Sequence, residues 1–259
     1  PWVDRPQDVK SGRWEWYDSY ITRLTWQAAA KHKVNFMIDN QRACNCGGVN
    51  SAVLQEVAGG YRFEPNRFMQ ATYNAPLTSR LLLEAGVGAS ISQWNAFWQP
   101  GVQARTVNIT DIGVGLQYGA TATYRGHPDY TNRYMQRAAA TYVTGSHTFK
   151  VGVQHERLFT DNYFISNGNV SYTFNRGVPT SLTQRTTPYL EQDGADEWGV
   201  FAQDQWRFSR FTLNYGLRFD YVNGWVPAQN TPGTPDEKFY DRFPGVPPIN
   251  PWVGERNFE

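Results

Sequence analysis

Phe211-Thr212-Leu213-Asn214-Tyr215-Gly216-Leu217-Arg218-Phe219-Asp220-Tyr221 alternates without a break. Phe211, Leu213, Tyr215, Leu217, Phe219 and Tyr221 point one way, and Thr212, Asn214, Gly216, Arg218 and Asp220 point the other. Successive side chains of a β-strand face opposite sides, so this stretch is an amphipathic strand. A slip of one residue would exchange its two faces, which fixes the register strongly. Just upstream, across Ser209-Arg210, the residues Trp198, Val200, Ala202, Trp206 and Phe208 share an apolar face with one charge, Asp204. Two strands joined by so short a link make a hairpin.

The same rhythm recurs along the chain. Strands are expected over 19–28 and 33–44, 67–75 and 79–93, 132–143 and 147–159, and 197–208 and 211–223. Short links fall at Ala30, Leu77, Gly145 and Ser209. Tyr20, Leu24, Trp26 and Ala28 share one face, interrupted by Thr22; Val34, Phe36 and Ile38 form the apolar face that follows. Leu81, Leu83, Ala85, Val87, Ala89 and Ile91 repeat the pattern, as do Phe149, Val151 and Val153. Between the pairs, 45–66, 95–131, 160–196 and 224–259 are rich in Asn, Gly, Pro, Thr and aromatics and are expected to be irregular.

Composition narrows the class. The chain carries 24 basic and 23 acidic residues, so no basic excess points to nucleic acid. Aromatics make up 15% of the chain, with ten Trp, while hydrophobic residues reach only 40% and mean hydropathy is negative. Many aromatics with little aliphatic bulk suit a barrel with a thin apolar outer band, aromatic girdles and a polar interior. No run of about 18 apolar residues is present, so no transmembrane helix is expected, but barrel strands alternate and would not show one. Loops this long are uncommon in a compact soluble domain. They are expected on the outer side of an outer-membrane barrel, opposite a rim of short turns.

The fold class expected is therefore all-β: an antiparallel meander forming part of a large transmembrane β-barrel. On this view Arg23, Lys33, Asp39, Glu84, Lys150, Glu156, Arg218 and Asp220 line the lumen. Residues 169–174 also alternate and are expected to continue a strand above the membrane. The competing arrangement is a soluble carbohydrate-binding sandwich with an exposed polar face.

Three motifs carry a resemblance. Gly199-Val200-Phe201-Ala202-Gln203-Asp204-Gln205-Trp206-Arg207, followed by Phe211 to Tyr221, resembles the barrel hairpin of TonB-dependent outer-membrane receptors. Gly145-Ser146-His147-Thr148-Phe149-Lys150-Val151-Gly152 resembles a turn and strand of the same barrels, and Trp225-Val226-Pro227-Ala228-Gln229 the start of the loop that follows. Within that superfamily the motifs resemble the Oar-like group, whose members carry a carboxypeptidase-regulatory-like domain ahead of a plug. Elsewhere the chain matches only in strand rhythm.

The resemblance implies a cell outer-membrane location, outer-membrane lipid as a partner, a plug domain, the inner-membrane TonB system and an unidentified extracellular substrate. It implies energised import of a scarce nutrient, or export or surface roles. No plug, TonB box or regulatory-like domain is found in 1–259. Such barrels have about 22 strands, so the chain is expected to be one internal segment of an open, incomplete barrel with two unpaired edges. A plug-less adhesin or porin-like barrel is the second functional reading.

No enzyme activity, cofactor or metal is expected. Cys44-x-Cys46 sits in an Asn/Gly-rich loop without a nearby His, and an ordinary oxidised pair is favoured over a metal or redox site. His32, His127, His147 and His155 are scattered, with no recognisable Ser-His-Asp pattern. Asp204 could serve as a periplasmic contact or a polar register pin, but a hydrogen-bonded acid at the membrane interface is the favoured expectation. Trp26, Trp198, Trp206, Trp225, Tyr20 and Tyr221 fall toward strand ends and are expected in the interfacial girdles. The loop aromatics Trp94, Trp98, Tyr118, Tyr124, Tyr130 and Tyr163 are the better candidates for touching a ligand.

Overall fold

The computed structural model describes residues 12–50, 52–126, 129–185, 187–227 and 256–258. Its strands in chain order are β1 (Gly12–Ala29), β2 (His32–Val49), β3 (Gly60–Pro76), β4 (Leu81–Phe97), β5 (Asn108–Asp111), β6 (Leu116–Tyr118) and β7 (Tyr124–Arg125). They continue with β8 (Asp129–Thr144), β9 (His147–Ile165), β10 (Val170–Asn175), β11 (Val178–Gln184), β12 (Tyr189–Phe208), β13 (Phe211–Val226) and β14 (Arg256–Phe258). The eight long strands expected are all present, and each is longer than its apolar pattern. Most of the extra length lies on the long-loop side. There the chain leaves lipid, so polar residues and glycines are tolerated while the backbone ladder continues.

The large sheet runs β1-β2-β3-β4-β8-β9-β12-β13-β14, with β7 beside β9. The pairs along this path are antiparallel. Links of two to four residues close one rim, and long connections close the other. Among the described residues the sheet does not close on itself: β1 pairs with β2 and with no other described strand.

Residues directly opposite each other share a face. Leu24, Phe36, Ala71 and Val87 form one continuous apolar row, and Ala138, Val153, Val200 and Phe219 another. Leu217, on the same face, is 86% exposed. A contiguous apolar surface of this extent is not stable in water and needs lipid. Among the described residues no second sheet packs over it, which removes the sandwich alternative.

The other face is polar. Thr25 Oγ1 donates to Asn35 Oδ1 at 3.0 Å, and Asn35 Nδ2 donates to Thr72 Oγ1 at 3.2 Å. Ser19 Oγ and Gln41 Nε2 each donate to Asp39 at 2.6 Å. Lys150 Nζ lies 2.8 Å from Glu84, and Arg133 Nε 2.9 Å from Glu156. The eight charges expected in the lumen all fall on this face by register. Here glycines sit opposite large side chains: Gly152 faces Phe201, and Gly86 faces Arg137. The absent side chain leaves a slot across which the larger one lies.

The expectations for the long connections need correction. The stretches 95–131 and 160–196 are not wholly irregular, because each contributes strands to a second sheet of order β11-β10-β5-β6. Nor does 169–174 extend a barrel strand. β9 ends at Ile165, and the chain turns through Gly168 (φ 62°) and Asn169 (φ 58°), both in the left-handed region. That turn breaks the ladder and sends β10 alongside β5 in parallel. A parallel pair between two separate loops has no local sequence signature, since neither partner lies near the other in the chain.

Candidate functional site

The short-turn rim carries a polar cluster on the outward face. His147 opens β9 directly after the Gly145-Ser146 turn. Its Nδ1 lies 2.6 Å from Asp204 Oδ2. Tyr215 OH donates to the same oxygen at 2.8 Å, and the Thr148 N–H donates to Oδ1 at 3.1 Å. The His147 ring stacks against Phe149 and Trp206, with centroids 5.3 and 5.7 Å away. Asp204 is buried beneath these groups. The charge on the apolar face is thus a hydrogen-bonded acid, held by three strands at once. His32 repeats part of the arrangement, with Nδ1 2.7 Å from Tyr73 OH.

A second belt lies higher. His155 stacks on Trp198 at 4.1 Å, and its Nδ1 and Nε2 lie 2.7 Å from Gln136 and 3.3 Å from Asp196. Trp198 pairs with Tyr221. The rows through His147 and His155 are eight residues apart, or about 26 Å along a strand at ~3.3 Å per residue. Tilted by about 40°, that spans about 20 Å along the membrane normal, close to the ~25 Å apolar band of such barrels. Trp206 and Trp26 mark the lower girdle, and Trp198, Tyr221 and Tyr20 the upper one. Trp225 lies beyond it, over Gly194.

The extracellular mouth gathers aromatics on the luminal side. Trp94 packs edge-on to Tyr61 at 5.2 Å and stacks on Phe63 at 6.0 Å. The Arg125 guanidinium sits between Trp94 and Phe164, 5.0 and 4.8 Å from the ring centroids. Its Nε is 3.8 Å from Asp129, which is fully buried. Exposed Trp98 adds an edge contact to Tyr124 at 6.4 Å. Structure therefore unites three of the six loop aromatics. Tyr118 belongs to β6, while Tyr130 and Tyr163 face outward by strand alternation. Sequence reading missed Arg125, Asp129 and Phe164 because their meeting depends on β7 folding back beside β9. His127 lies outside the described residues.

Cys44 and Cys46 are joined in a disulfide, with Cα atoms 5.1 Å apart. They sit on strand β2, not in a loop, where β2 bulges against β1 and Gly47 takes φ +94°. Gln99 Nε2 donates to the Cys46 carbonyl at 3.0 Å and to Ala58 at 2.9 Å, tying this rim to the next loop. Among the described residues no three His, Cys, Asp or Glu side chains are grouped to hold a metal.

Asp111 pins the small sheet. Its oxygens accept the N–H groups of Gly113 at 3.0 Å, Arg176 at 2.8 Å and Gly177 at 2.7 Å. One carboxylate thus joins the turn after β5 to the turn between β10 and β11. The Asp111-Ile112-Gly113 spacing is the local signal that could have found it. Burial would raise its pKa, but the N–H donors outweigh burial and hold it below the usual carboxylate value. With a lowered folded pKa, this stabilisation is present above the ordinary carboxylate pKa and is lost as pH falls through the lower folded one. Amide exchange at Gly113, Arg176 and Gly177 should stay slow at neutral pH and quicken only in strong acid. Asp111→Asn should quicken it already at neutral pH.

An apolar outer belt between two aromatic rows, a polar inner wall and short turns on one rim define a transmembrane β-barrel wall. Residues 12–251 match the outer membrane beta barrel domain family, and the chain belongs to that family. It therefore resides in the outer membrane. The fold is similar to that of the outer membrane transporter YddB from Escherichia coli, with 13% sequence identity and a TM-score of 0.55. The match covers 81% of this chain and 28% of the transporter, and at that identity it is a likeness of fold alone. No curated protein matches the sequence.

Proposed function

We propose that the chain supplies wall, lumen and extracellular loops to a TonB-dependent receptor of the Oar-like group, which takes up a substrate through the outer membrane. The observation that carries this reading is the β12–β13 hairpin. Its receptor-like motif is paired in the register its alternation requires, from Gly194↔Trp225 to Phe208↔Phe211. The similarity to an outer membrane transporter supports it. In this role the mouth aromatics meet the substrate first. The polar wall then lines its passage, and a plug moved by the TonB system opens the way. The chain acts by binding and passage, without a catalytic group.

The test uses the full-length protein. Cysteine cross-linking in cells should trap it with the TonB protein, and in planar bilayers it should rest closed. A permanently open channel with no TonB cross-link would instead establish a porin-like barrel.

A further inference from the structure

The apolar outer face is not flat. Leu24 and Phe36 stand on β1 and β2, and Tyr134 on β8. Between them a diagonal of two small residues, Ala71 and Ala89, crosses β3 and β4 between Met69 and Val87. The result is a groove of about 660 Å³ on the lipid-facing side, lined by all of these residues. Its sides, β2 and β8, are three strand spacings apart, or about 14 Å at ~4.8 Å each. Arg67 stands over the groove on β3, two residues before Met69 and four before Ala71. That places it about 13 Å above Ala71 along the strand at ~3.3 Å per residue. It shares a row with Asn40 and with Tyr20 of the upper girdle, so its guanidinium lies at headgroup depth. Arg67 is exposed, and among the described residues it makes no ion pair. The other outward charges at this height are matched. Arg42 pairs with Glu64 at 3.1 Å and stands opposite Asp18. Arg62 lies over the Phe97 ring at 5.0 Å, Arg157 is 4.0 Å from Asp196, and Asp161 accepts from Gln192 at 3.0 Å.

We propose that the groove and Arg67 together bind one phosphate-bearing lipid of the outer leaflet. Its acyl chains lie over Ala71 and Ala89, and its phosphate sits on the Arg67 guanidinium. The inference rests on the outer-membrane location and is independent of what the barrel transports. An acyl chain in the groove touches a floor and two walls, and so gains more dispersion contacts than on a flat belt. The unmatched cation at the upper end selects an anionic headgroup over a neutral one. A guanidinium suits phosphate because its planar fork of N–H donors matches two of the phosphate oxygens. The headgroup layer holds less water than bulk solution, which strengthens the contact.

The test is native mass spectrometry of the full-length protein in mild detergent. The probes are dioleoyl phosphatidic acid and dioleoylglycerol, which lacks only the phosphate. Wild type should retain the phosphatidic acid about tenfold better, the scale of one charge-assisted contact. Arg67→Gln removes no ion-pair partner within the described wall and should abolish that preference. Ala89→Phe fills the groove and should lower retention of both lipids. Arg210→Gln, at the short-turn rim, should behave as wild type. Heat-modifiable gel mobility checks that each variant folds, and the comparison of the two lipids on wild type stands without any variant. Equal retention of the two lipids by wild type would overturn the proposal, as would a preference that survives Arg67→Gln. Release of the bound phosphatidic acid by excess inorganic phosphate would reduce the site to a free-anion site and overturn the lipid. A lipid-free wild-type dimer that Ala89→Phe dissociates would assign the groove to a second copy of the chain instead.

Discussion

Leu217→Arg is expected to destabilise the folded barrel by about 2–4 kcal/mol, the cost of an arginine facing the bilayer midplane. Leu217 lies halfway between the lower row through Leu213 and the upper row through Tyr221. It is 86% exposed on the apolar face, so no protein group can solvate the new charge. Urea unfolding of the full-length protein in lipid vesicles measures the loss. Gln203→Arg is the matching control. Gln203 stands next to Ala202, the partner of Leu217, but faces the lumen opposite Gly216. A charge there meets water and should move stability by no more than about 0.5 kcal/mol. Equal effects at the two sites would contradict the assignment of faces.

Gly152→Val should cost about 1–3 kcal/mol or more through overpacking. A Cβ at 152 would stand 2.5 Å from the Phe201 ring and 2.9 Å from the Ala138 carbonyl oxygen. The ring can move and the carbonyl cannot, since it belongs to the neighbouring β8. Phe201→Ala in the same chain should therefore restore part of the loss but not all of it. A double-mutant cycle reads this as a coupling between the two sites, which are direct partners across β9 and β12. Additive losses would show that the slot at Gly152 does not hold Phe201.

The strands of the wall were legible because lipid outside and water inside enforce a period of two. Phe211 to Tyr221 shows this most cleanly. The weak strand around Asn132 was harder to place. Its outward face mixes Asn132, Tyr134 and Gln136 with Ala138, and Gln136 is explained only by the His155 that it meets on β9. Asp204 was visible as an anomaly, but its partners His147 and Tyr215 lie 57 and 11 residues away on two other strands. The mouth was legible only as a surplus of aromatics. Which of them converge on Arg125 depends on how β4, β7 and β9 meet.

From sequence alone came the class, the eight long strands, their faces, the short-turn rim and the luminal charges, because each follows from alternation and local turn chemistry. Only the tertiary structure decided the second sheet, the Asp111 clamp and the mouth cluster. These depend on register between strands distant in the chain. Register is set by pairing across the whole sheet, and no single segment contains it.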